Sequence, residues 1–140
     1  MRKIILMLCM FFVAITLSAC GFFGPQRYVC DEAEVESIQI VRLDKYVEGE
    51  YRYEYTVLSE ISDRFAFIER LNNLKHSVNW GEPRQLNIEY IVIKINFLNG
   101  DYDLLYHRAQ WFNRDNVNNY GYFFFNKEEF DSLISDYLTE

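Results

Sequence analysis

Proline, glycine, cysteine and histidine are all scarce in this chain of 140 residues, which holds two, six, three and two of them. So little proline and glycine, beside an apolar content of 50%, excludes collagen-like, low-complexity and intrinsically disordered classes. Three cysteines are too few for a small fold held by disulfides. Positive charge is also short, with 14 Lys+Arg against 21 Asp+Glu and a formal net charge of −7. A nucleic-acid binder needs a basic face to meet phosphates, so no nucleic-acid partner is expected. The two histidines lack partners at metal-ligand or nucleophile spacing, and no G-x-S-x-G, H-E-x-x-H, P-loop or dinucleotide fingerprint occurs. Asn99-Gly100-Asp101-Tyr102-Asp103 looks superficially like a calcium loop but lacks its length and its downstream glutamate. The expectation is therefore no metal, no cofactor and no catalytic residue.

What is abundant is concentrated at the N-terminus. Arg2 and Lys3 precede an apolar run over 4–17 that only Thr16 interrupts, and Leu17-Ser18-Ala19-Cys20-Gly21 follows. The run is long enough for a signal h-region and short for a helix spanning ~30 Å of hydrocarbon. The stretch resembles a bacterial lipoprotein signal, and Leu17-Ser18-Ala19-Cys20 matches the lipobox at all four positions. The resemblance covers residues 1–21. It implies diacylglyceryl transfer to the Cys20 thiol, cleavage before it, and further acylation (palmitate or a similar chain) of the new amino group. Two or more chains anchor stably where one does not. The protein would then sit on the extracytoplasmic face of the cell membrane or outer membrane, with the membrane as a partner through the lipid on Cys20.

The expected organisation is a cleaved signal peptide over 1–19, a lipid-anchored tether over 20–34, and a single globular domain over 35–140. The chain after the signal has 12 Lys+Arg against 21 Asp+Glu. Cys9 leaves with the signal and Cys20 carries lipid, so Cys30 has no partner for an internal disulfide. The acidic run Asp31, Glu32, Glu34 and Glu36 suits a solvated tether, with Cys30 partly exposed on it.

Hydrophobic periodicity predicts strands over 35–43 and 51–58, then a helix capped by Ser62 or Asp63 and running to about Lys75. Loop 77–86 follows. Residues 87–98 and 101–107, joined by Asn99-Gly100, read as a hairpin with a two-residue type I′ turn. That register opposes Phe97 to Tyr102, Ile95 to Leu104 and Ile93 to Tyr106 on the core face. A loop over 113–119, a strand over 120–125 and a helix capped by Asn126, with Glu129 reaching back, complete the chain. The order β-β-α-β-β-β-α is an α+β fold: an antiparallel sheet of about five strands with two helices on one face.

No catalytic constellation remains, but an aromatic surplus does. Trp80, Trp111, Phe112 and Tyr120 lie in or beside the expected loops, and tryptophan and tyrosine dominate recognition surfaces. The outward sheet face is expected to carry Arg52, Glu54, Lys94, Asp103 and His107. His76, at the end of the first helix, suits the helix dipole as a partly positive imidazole. Two functions are compatible with this inventory. One is a lipid-anchored, non-enzymatic module that binds an envelope protein or another envelope component. The alternative is a small envelope enzyme using His107 with Asp103 or Glu54; a concave pocket around His107 would distinguish it.

Overall fold

Val, Ile and Tyr crowd the segments that become strands, because branched and aromatic side chains fit a pleated, half-buried surface. The computed structural model describes residues 27–78, 85–114, 117–120 and 123–138. In chain order the elements are β1 (Val35–Val47), β2 (Arg52–Glu60), α1 (Arg64–Asn73), β3 (His76–Val78), β4 (Ile91–Phe97), β5 (Tyr102–Leu105), β6 (Gln110–Arg114), β7 (Val117–Tyr120), β8 (Phe123–Phe125) and α2 (Lys127–Leu138). Six strands form one antiparallel sheet in the order β2-β1-β4-β5-β6-β7, and β3 pairs with β8 in a second, smaller one. This is the expected α+β fold, with more strands than the five expected.

Both helices cover one side of the sheet. Phe67, Ile68 and Leu71 of α1 and Phe130, Leu133 and Ile134 of α2 pack with Ile38, Ile40, Ile93, Ile95 and Leu105. The other side has no helix among the described residues. Its smaller cluster of Val41, Leu43, Tyr53, Val92, Leu104 and Trp111 is closed by Leu86 and Ala109 from irregular segments. Asp63 caps α1, its Oδ1 accepting the Ala66 N–H at 3.0 Å. Asn126 caps α2 likewise from the Glu129 N–H at 3.0 Å. Only half of the expected capping box forms. The Asn126 N–H donates to the Lys75 carbonyl at 2.7 Å, while the Glu129 carboxylate accepts the Lys75 N–H at 2.8 Å.

The β4–β5 register is one residue away from the expected one. Ile93 faces Leu105, Lys94 faces Leu104, Ile95 faces Asp103 and Asn96 faces Tyr102. The Gly100 N–H donates to the Phe97 carbonyl and the Phe97 N–H to that of Asp101, both at 2.9 Å. Leu98-Asn99-Gly100 is therefore a three-residue turn of type I, closed by a bulge at Gly100 with φ +89°. A one-residue slip exchanges faces. Asp103 and Leu105 thus enter the helix-side core, while Tyr102 and Leu104 go to the other side.

Three further expectations are corrected. The asparagine-rich stretch 113–119 is largely strand, because β6 and β7 pair across it with Asn113 opposite Asn118. His76 lies not on the helix but on β3, beyond the α1 terminus. The domain also begins before Val35. Tyr28 and Cys30 are buried in the helix-side core. The Cys30 N–H and carbonyl both bond the Asn72 side-chain amide at 2.9 Å, and the Tyr28 hydroxyl donates to Asp103 Oδ2 at 2.8 Å. Backbone partners on Asn72 and a buried carboxylate hold this segment as part of the fold, so Cys30 is not partly exposed.

Tyr28→Ala in the full chain should cost ~3–5 kcal/mol of stability, as buried aromatic truncations do. Val29→Ala, which is 65% exposed, should stay within about ±0.5 kcal/mol. Chemical denaturation of the two variants checks this, and equal small effects would restore the free tether.

Candidate binding face

The residues expected to share a face are divided by the fold. Alternation along β2 sets Arg52 and Glu54 on the side away from Tyr53, both exposed, with Arg52 Nε bonded to Glu50 Oε2 at 2.5 Å. Asp103 is 0% exposed inside the helix-side core. His107 lies in the turn after β5, buried against Tyr106 and Phe130 with ring centroids at 4.2 and 6.3 Å. Lys94 points to the helix-free side, and the Arg52 guanidinium lies within electrostatic reach of Tyr102 there. Among the loop aromatics, Trp111 is buried edge-on to Tyr53 at 5.8 Å. Phe112 is half-buried, its ring parallel to that of Tyr28 at 6.2 Å. Tyr120 pairs through its backbone with Trp111, and Trp80 lies outside the described residues. Trp111 and Phe112 pack with the core because the β6–β7 hairpin takes up the stretch that reads as a loop.

What the fold does assemble is a patch around Lys94. β4 is flanked by β1 and β5, so both of its sides are occupied, and Lys94 is only 7% exposed. Its ammonium lies 5.0 Å from the Tyr55 ring centroid and 5.2 Å from that of Tyr102, and it donates to Asn96 Oδ1. The Asn96 amide donates onward to Ser37 Oγ at 2.9 Å. Tyr102 shares a side-chain hydrogen bond with Asn113, and burial pushes its phenol up from the usual value. No carboxylate among the described residues forms an ion pair with Lys94. Glu60, the nearest acid along that row of the sheet, accepts from Gln39 Nε2 at 2.9 Å.

A buried charge without a counter-ion costs free energy, and two π-faces with one amide oxygen offset that only in part. Tyr55, at 38% exposed, and Val57, at 43%, leave the rim of the patch open. The signal for this site was present in the sequence as Lys94 and Asn96 alternating with Ile93 and Ile95. Tyr102 was hidden by being placed on the core face of the expected hairpin.

The rest of the chemistry is dispersed. The His76 Nε2 accepts the Tyr28 N–H at 3.3 Å, and burial against Phe125 holds the imidazole below its ordinary value. Burial lowers His107 in the same way, with Asp131 opposing and Arg108 and Lys127 reinforcing. The His107 Nδ1 is buried without a hydrogen-bond partner among the described residues. A groove of about 560 Å³ between α1 and α2 is lined by Glu69, Arg70 and Glu128, and one of about 270 Å³ by Glu34, Phe97 and Asp101. His107 lines neither. Among the described residues no cluster of His, Cys, Asp and Glu could hold a metal, and no helix is long and apolar enough to cross a membrane. Comparison with protein-family models, curated proteins and solved structures finds no match to this chain.

Replacing Lys94 by the similarly long but uncharged Met should leave stability unchanged or raise it by ~1 kcal/mol or more, since apolar replacement of a buried charge often stabilises. A thermal melt of Lys94→Met reads this directly. Both histidines are held below 6.5, so the folded state favours their neutral forms. Their contribution is complete above the unfolded value of 6.5 and is lost as pH falls below it through the folded values. Melting temperature should therefore be flat just above pH 7 and decline from about 6.5 downward, and His76→Gln should flatten that decline.

Proposed function

We propose that this protein is a lipid-anchored envelope protein acting as a non-enzymatic binding module, with the helix-free sheet face around Lys94 as its contact surface. One observation carries the reading: a buried ammonium whose described partners are all neutral, roofed by two tyrosine rings and reachable from an open rim. A residue that contributes little to stability where it stands is what a recognition site retains. The lipobox resemblance at Leu17-Ser18-Ala19-Cys20 supports the anchor and the extracytoplasmic location. The enzyme alternative loses its geometric support. His107 and Asp103 are each buried in other contacts, and Glu54 lies exposed on the edge strand.

Two measurements test the two halves. A clickable fatty acid should label the wild type, and Cys20→Ala should lose the label and leave the membrane fraction; equal labelling of the variant would remove the anchor. A photo-crosslinking amino acid replacing Tyr55 should give discrete adducts in cells, whereas the same probe at Phe65, which is 64% exposed on α1, should not. Identical adduct patterns from the two positions would remove the binding face.

A further inference from the structure

The Lys94 patch specifies a ligand class by its chemistry. Among the described residues the ammonium has no carboxylate partner, so a ligand that suits it brings one negative group to the floor of the site. Around that floor the hydrogen-bonding groups are neutral, and the one charge that acts on Tyr102 is the positive Arg52. Ser37, Asn96, Tyr102 and Asn113 stand opposite one another on β1, β4, β5 and β6. This row of hydroxyls and amides crosses three strand spacings, or about 14 Å. Each such group can donate and accept, which suits a ligand rich in hydroxyls rather than one rich in charge. The Tyr55 and Tyr102 rings add flat, electron-rich faces on which the C–H side of a sugar ring can lie.

We infer that the face binds a polysaccharide bearing isolated carboxylates, the carboxylate serving as counter-ion to Lys94 and the sugar rings lying along the tyrosines and the amide row. The inference rests on the reading of this face as the contact surface. A peptide is the weaker occupant. Sheets take peptides at an edge, by adding a strand. The β2 edge is interrupted where Ile40 faces Ser59 but Val41 faces Val57, leaving Leu58 as an unpaired bulge. A ligand of dense negative charge is disfavoured by the net charge of −7, while single carboxylates spaced by neutral sugars meet that repulsion least.

The test uses the full chain in non-ionic detergent and titration calorimetry with three probes of equal length. These are a hyaluronan hexasaccharide, in which acidic and neutral sugars alternate, the neutral N-acetylglucosamine hexamer, and hexaglutamate. Hyaluronan should bind about tenfold or more tighter than the neutral hexamer, as a charge-assisted hydrogen bond requires. Lys94→Met, with an unchanged melt, should erase that preference, and Tyr55→Ala should weaken both sugars. Undiminished hyaluronan binding by Lys94→Met, or tighter binding of hexaglutamate than of either sugar, would overturn the inference. If no probe binds while the crosslinker at Tyr55 still gives its adducts, the polysaccharide inference falls and the binding face stands. If the crosslinker is silent as well, both fall.

Discussion

The turn at Leu98-Asn99-Gly100 is the constraint on which the rest of this structure depends. By opposing Phe97 to Asp101, it decides the side of every residue in β5. Asp103 enters the helix-side core because of it, and only there can the Tyr28 hydroxyl reach its carboxylate. Leu104 is sent to the opposite side, where it completes the small cluster with Val92 and Trp111. Tyr102 follows it and closes over Lys94. A two-residue turn would have placed Asp103 beside Lys94 and given the buried ammonium a carboxylate on its own face. That Lys94 has no carboxylate from β5 on its own face is thus a consequence of one extra residue in a hairpin.

Much of the fold was legible because it is written in strong periodicities. Tyr53, Tyr55 and Val57 share a side as their alternation requires. The apolar stripes of α1 and α2 face the core, and Asp63 and Asn126 cap where they should. The hairpin register was not legible, because Asn-Gly satisfies two turns with different counts. The three-residue form needs only Gly100 in a left-handed conformation. The Asn99 side chain reinforces it by accepting the Asp101 N–H at 3.0 Å, a local bond that pattern counting does not weigh. The docking of Tyr28 and Cys30 was hidden for another reason. Two buried residues without a repeat have no period, and their acidic neighbours read as solvent-loving.

The candidate site was half legible. Lys94 was placed on an outward face, but the companions assigned to it came from the wrong register, so Asp103 stood opposite Asn96 where Tyr102 stands. The aromatic surplus was placed in loops because asparagine breaks strand patterns. In the structure it fills a gap instead. Among the described residues no helix covers this side of the sheet, and Tyr46 and Tyr53, both edge-on to Trp111, close it together with Leu86 and Ala109. Lys94, Asn96, Ser37 and Tyr55 lie beside that cluster, with the exposed Tyr55 at its margin.

The position of Tyr28 also orients the Lys94 patch. Were Cys20 the lipid anchor, only eight residue steps would separate it from Tyr28, which Asp103 and His76 hold. Eight residue steps reach at most about 28 Å. The chain enters on the helix side of the sheet, where Tyr28 packs with the residues of α1 and α2. Lys94 lies on the other side. A short leash attached to one face of a sheet keeps that face toward the membrane and turns the opposite face outward. The same docking that removes the long tether would therefore present the Lys94 patch to whatever lies beyond the bilayer, with the helices between it and the lipid.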